Sequence, residues 1–247
     1  MRPRTAALVL LLLAPRVHAQ PPGKSPPDTV VNLQVLPKTM SRTQVWGTMR
    51  NIAAGLGVRC TFCHVGDDST PLEQLDFPND QKRTKLVARQ MLRLVQEVNA
   101  RLDTIPGRPT PAVTVTCATC HRGVSRPVPL ATIIAEVATT AGADSATRVY
   151  RSLRERYYGR DAYDFGEPSL NTAAFRTARA GRTDDALALL RLNESMYPDA
   201  AALAIVRGNV QLMRGDTTAA AAAFREAVRR DPKNDEARGR LRDIGRP

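Results

Sequence analysis

The four cysteines of the chain fall in two five-residue stretches of one design, CTFCH at residues 60–64 and CATCH at residues 117–121. In each, two thiols stand three positions apart and an imidazole follows directly behind the second. Structural disulfides, which exported chains carry, would leave His64 and His121 without a part. Structural zinc on four thiolates would not use the imidazoles either. A thioredoxin-like dithiol occurs once, at the start of a helix, with no histidine behind it. Only one pattern uses every residue: C-x-x-C-H attaches c-type haem. The thiols of Cys60/Cys63 and Cys117/Cys120 then add to the porphyrin vinyl groups as thioethers. His64 and His121 supply the proximal nitrogens to two irons, so the expected cofactors are two covalent haem c groups.

A sixth ligand can be sought by elimination. The remaining histidine, His18, lies in an N-terminal segment expected to be removed, so bis-histidine ligation within the mature chain is excluded. The soft donors left are Met40, Met49, Met91, Met196 and Met213. Met196 and Met213 fall in a repeated C-terminal region and read as core. Met49 precedes Cys60 by eleven residues, and Met91 lies midway along the one long helix between the motifs. Ordinary packing is the alternative for both, because methionine on an apolar helix stripe is usually core. Two haems in need of partners, with one methionine ahead of each motif, make Met49 and Met91 the expected distal ligands and Met40 the reserve. Arg122 and Arg126, beside the second motif, could meet haem propionates or simply lie at the surface.

These residues need helices to position them. Ser41 is a good N-cap, followed by Val45, Met49, Ile52 and Leu56 at helical spacing, with Gly55 and Gly57 as the stop. A second helix is expected from Asn79 or Asp80, with Val87, Met91, Leu94, Val98 and Leu102 on one face and its end before TIPGRPTP. A short β-prone run, AVTVT, leads into the second motif. From about Val128 the composition changes to Ala, Arg and Leu, with no cysteine or histidine. There a shift of 34 residues places Ala174 on Gly208, Gly181 on Gly215, Ala186 on Ala220, Leu190 on Phe224 and Pro198 on Pro232. That period, with small residues at those points, is the signature of tetratricopeptide helix pairs. Ala146, Tyr150 and Leu153 continue it upstream, offset by a six-residue insertion near GRDAYDFGEP, and a helix over about 235–243 closes the stack.

The N-terminus begins basic (Arg2, Arg4), continues apolar from Ala6 to Ala14 and ends in Val17-His18-Ala19. It reads as a secretory signal peptide cut after Ala19. The apolar run is too short to span a bilayer, so the mature protein is expected to be periplasmic or secreted, without a transmembrane segment. Removing Arg2, Arg4 and Arg16 lowers the formal charge from +12 to +9. The remaining arginines are scattered, which reads as a solvated basic surface and not as a nucleic-acid tract. Only 4% of residues are aromatic, so something else must fill the cores: packed alanines in one part and planar cofactors in another. The expected organisation is therefore a signal peptide (1–19), a Pro-rich leader (20–29), a di-haem cytochrome c domain (30–127) and a tetratricopeptide-like domain (128–247). The fold class is mainly α, a multihaem cytochrome with little regular β structure plus a C-terminal helical array.

The stretches VVNLQVLPKTM, MRNIAAGLGVRCTFCH, DFPND, ARQMLRLV and VTCATCHRG together resemble the cytochrome c subunit family of photosynthetic reaction centres. The resemblance covers about residues 30–127. It implies a helix with an axial methionine ahead of each C-x-x-C-H motif, a position that Met49 matches closely and Met91 with a longer gap. Best-known members carry four haems, one with two histidines, where this chain has two motifs. His/Met ligation closes both axial positions and raises the reduction potential relative to bis-histidine ligation, so the expected function is one-electron transfer. The partners would be other redox proteins or membrane electron-transfer complexes. A di-haem peroxidase would require an open or displaceable sixth position. A third reading is an interaction protein, whose repeats bind a peptide or protein, or assemble copies into an electron-conducting array.

Overall fold

The computed structural model describes residues 30–245. The signal-peptide and leader segments expected over 1–29 lie outside them. Among the described residues there are nine α-helices and no strand, and a single antiparallel bridge joins Val65 to Asp76. The helices are α1 (Arg42–Leu56), α2 (Arg83–Asp103), α3 (Cys117–His121), α4 (Leu130–Tyr157), α5 (Glu167–Arg179), α6 (Thr183–Glu194), α7 (Ala201–Arg214), α8 (Thr217–Arg230) and α9 (Asp235–Asp243). No helix among them is long and apolar enough to cross a membrane.

The chain divides into two compact units. One comprises residues 30–45 and 60–92 of the described chain, the other 46–59 and 93–245. In the first, α1 starts at a reciprocal cap: Gln44 N–H donates to Ser41 Oγ (3.3 Å) and Ser41 N–H donates to Gln44 Oε1 (2.8 Å). Each satisfies a donor that the first turn leaves open. The second helix begins at Arg83, later than the Asn79 or Asp80 that apolar spacing suggests. Asn79 and Asp80 are engaged elsewhere: Asn79 N–H donates to Asp76 Oδ1 (3.2 Å), and the Asp80 carboxylate pairs with Lys85 (2.9 Å) and Arg89 (2.8 Å).

In the second unit the 34-residue period is visible in the backbone. Helices α5 and α6 start at residues 167 and 183, and α7 and α8 at 201 and 217. Arg182 N–H donates to Thr177 O (3.1 Å), as Asp216 N–H does to Gln211 O one period later (2.9 Å). Gly181 (φ 83°) and Gly215 (φ 86°) take the left-handed turn between the helices of each pair, a conformation that glycine adopts at little cost. An added Cβ at Gly208 would collide with the Phe224 ring, so glycine lets α7 and α8 close. Upstream, α4 breaks at Gly142 (φ 81°, ψ 167°), which divides it into a further helix pair. Alanines dominate the interior: Ala173, Ala174, Ala186, Ala204, Ala220 and Ala227 are fully buried. The AVTVT run forms no strand; Val115 instead exchanges two hydrogen bonds with the Asn99 side chain of α2 (2.8 and 2.9 Å).

Candidate haem-binding site

The first motif is a 3-10 turn, Cys60–Phe62, closed by Cys63 N–H and His64 N–H donating to Cys60 O (3.1 and 2.9 Å). Its free carbonyls are taken by the start of α2. Lys82 Nζ donates to Thr61 O, and to Gly66 O at 3.1 Å, while Thr84 Oγ1 donates to Phe62 O. His64 is 9% exposed. Its Nδ1 lies 3.2 Å from Phe77 O, and its ring meets the Phe77 ring edge to face at 4.8 Å. A carbonyl only accepts, so Nδ1 carries the proton and Nε2 keeps its lone pair. Burial first, and the charge of Lys85 second, hold the imidazole below its ordinary pKa, opposed by the Phe77 hydrogen bond. The ring is thus neutral, the form that ligates a metal.

Around that carbonyl stands a charged cluster. Lys85, itself 9% exposed, donates from Nζ to Phe77 O and to Asn79 O, both at 2.8 Å. Asp80 accepts from Lys85, from Arg89 and from Asn32 Nδ2 (3.1 Å). Arg89, then Lys85 and Asn32, hold the Asp80 carboxyl far below the usual carboxylate range.

The second motif is α3 itself. A capping box at its start joins Thr116 and Thr119, and Arg122 ends it in the left-handed conformation (φ 49°). His121 Nδ1 lies 2.9 Å from Val124 O, which again leaves Nε2 free. The end of α1 abuts this helix backbone to backbone. Gly123 N–H donates to Gly55 O (2.8 Å), a Cβ on Gly55 would stand 2.9 Å from Ala118 N, and one on Gly57 (φ 64°) would run into Gly123 O. Burial pushes the thiols of Cys63 and Cys117 up, so both are protonated at neutral pH. All four cysteines are free thiols.

The first unit holds Cys60, Cys63, His64 and Met91, and the second holds Cys117, Cys120, His121 and Met49. Met91 is 42% exposed on α2, and Met49 is half-buried on α1. Arg126 pairs with Glu136 (3.5 Å), and Arg122 borders an open depression of about 500 Å³ with Arg160, Asp161, Tyr163 and Asp164. The residues around the motifs suit a large apolar group. From residue 30 to 127, Leu75 and Val124 are the only buried hydrophobics among the described residues, while Phe62, Leu86, Val87, Met91, Leu94 and Val113 stand exposed. In the first unit, where Leu75 alone of the described hydrophobics is buried, Phe62, Leu86, Val87 and Met91 call for a further apolar body to cover them. Free thiol pairs, each followed by an imidazole whose Nδ1 meets a backbone carbonyl, fit haem c as that body. Lys85, Asn99 and the Gly55–Gly57–Gly123 contact were not apparent from sequence. The G-x-G at the end of α1 was the one local signal, and it reads only as a helix stop.

Comparison with known proteins finds two similarities over part of the chain. The family described as photosynthetic reaction centre cytochrome C subunit matches residues 70–153, which include the second motif and α2. Cytochrome c-554 of Chloroflexus aurantiacus is 41% identical over 97 residues, 38% of this chain. The similarity is to reaction-centre and c-type cytochromes. The chain spans about a fifth of the length of this curated relative (20%).

Proposed function

We propose that the protein is an exported electron carrier with two covalently bound haem c groups. The observation that carries this reading is the same construction built twice: a free thiol pair, then an imidazole whose Nδ1 is held by a backbone carbonyl and whose Nε2 is free. When bound, each haem supplies a one-electron ferric/ferrous couple. The chain tethers it through Cys60 and Cys63 or Cys117 and Cys120. Phe77 O and Val124 O orient the proximal imidazoles, as outer-shell acceptors do for ligating histidines. The apolar side chains of α2 exclude water. The electrons come from and pass to other redox proteins or membrane electron-transfer complexes.

Met49 and Met91 are proposed as the distal ligands. Order along the chain pairs Met49 with His64 and Met91 with His121, whereas the grouping into compact units favours the exchanged pairing. Residues 30–127 are proposed as the haem domain. Residues 128–247 are proposed as a tetratricopeptide-like array that docks a partner or assembles copies. A peroxidase would have to free one distal position, and no observation favours it.

The test is a spectroscopic redox titration with haem quantified per chain. Two low-spin haems, each with the ferric methionine–iron charge-transfer band, are expected. Met49→Ala and Met91→Ala should each remove one band. Repeating Met49→Ala on a Cys117→Ser/Cys120→Ser background decides the pairing: loss of the remaining band assigns Met49 to His64, and its survival assigns Met91. A high-spin haem that reacts with peroxide would replace the carrier by the enzyme.

A further inference from the structure

The two imidazoles are held by different kinds of carbonyl. Val124 O accepts from His121 and from no lysine among the described residues. Phe77 O accepts from His64 and also from Lys85 Nζ at 2.8 Å. Lys85 is 9% exposed, so its charge is poorly screened. Lys82, on the carbonyls of Thr61 and Gly66, and Arg89 stand in the same unit, and the Asp80 carboxylate binds both Lys85 and Arg89.

Two effects of Lys85 act in one direction. A carbonyl that already accepts from an ammonium is a weaker acceptor for a second donor, so the His64 Nδ1–H bond transfers less electron density to the ring. A less basic proximal imidazole stabilises the oxidised iron less. The positive charge of the buried Lys85 also favours the state with one more electron. The first effect has no counterpart at His121, whose Val124 O accepts from no lysine among the described residues.

We propose that Lys85, acting through the Phe77 carbonyl, sets the reduction potential of the haem at His64 above that of the haem at His121. The inference rests on the di-haem reading above. Lys85 is a positioning and tuning residue, since it touches the acceptor of the ligand and not the ligand. The couple is one electron per iron, delivered by the electrode or a chemical mediator in the experiment below. In the protein at work, the higher site would hold the electron at rest and the lower one would pass it on.

The experiment is a spectroelectrochemical titration of the full holoprotein and three variants, after covalent haem per chain has been counted. The wild type should show two separated midpoints. Lys85→Met should lower the higher midpoint alone, by about tenfold in the ferrous-to-ferric ratio at fixed potential, which is about 59 mV for one electron. Lys85→Arg should recover most of that loss. Asp80→Asn removes the compensating negative charge and leaves the Lys85–Phe77 bond, so it should raise the same midpoint. Opposite shifts for Lys85→Met and Asp80→Asn cannot come from loosening of the fold, which would move both the same way. Equal midpoints in the wild type, no shift, shifts of one sign in both variants, or equal shifts at both haems would overturn the proposal while two haems remain bound. A chain without covalent haem would overturn the functional reading and this inference with it.

Discussion

At the scale of single residues, Cys60, Cys63, His64, Cys117, Cys120 and His121 were legible as candidates because their pattern is contiguous in sequence. Lys85 and Asn99 were not: what they do depends on partners 8 and 16 positions away, beyond a local pattern. Asn99 stands in for the missing strand partner of Val115, accepting from its N–H and donating to its carbonyl. Asn99→Ala leaves both backbone groups without protein partners and should cost about 1–3 kcal/mol, read by chemical denaturation; an unchanged midpoint would show that water replaces both bonds. Asp80 gives a pH dependence with a definite sign. Its carboxyl is held far below its ordinary value of 3.8 by Arg89, Lys85 and Asn32. Its contribution is therefore complete above that value and is lost as pH falls through and below it. Asp80→Asn should be less stable at neutral pH and show a shallower acid limb in denaturation between about pH 5 and about pH 2, the range around an ordinary carboxylate pKa. An acid limb as steep as the wild type's would place the titrating group elsewhere.

Among the elements, apolar spacing located α1 and α2, and the 34-residue period located α5 to α8. Their ends were harder to read. The start of α2 was displaced to Arg83 by polar side chains committed to the loop before it, and AVTVT had β propensity but no neighbouring strand to pair with. The glycines at the end of α1 do more than stop it. Gly57 has φ 64° and meets the Gly123 carbonyl, so that α1 can approach α3 backbone to backbone. Gly57→Ala is expected to destabilise the second unit by at least about 1–3 kcal/mol and to lower haem incorporation at Cys117 and Cys120. Normal incorporation at that motif would mean the contact is dispensable. Gly208→Ala is the matched control in the array. Its Cβ would enter the Phe224 ring, for a cost of about 1–3 kcal/mol and a fall of roughly 2–4 °C per kcal/mol in melting temperature. Haem content should be unchanged there, and a loss of haem would tie the array to the haem sites.

For the molecule as a whole, the low aromatic content raises the question of what fills the interior. The array from residue 130 onward fills it with alanine and leucine, while residues 30–127 bury only Leu75 and Val124 among the described hydrophobics. If haem supplies the missing interior, chain matured without haem should keep the helical array and lose protection elsewhere. Limited proteolysis should then cut within 30–127 and spare residues from about Leu130 onward; equal protection with and without haem would assign the exposed α2 face to another partner. The most direct measurement is the intact mass of the exported chain under denaturing conditions. The account predicts a gain of two haem masses that survives denaturation, falling to one in Cys60→Ser/Cys63→Ser and to one in Cys117→Ser/Cys120→Ser. A chain at its bare polypeptide mass, or with its thiols joined as disulfides or holding zinc, would contradict it.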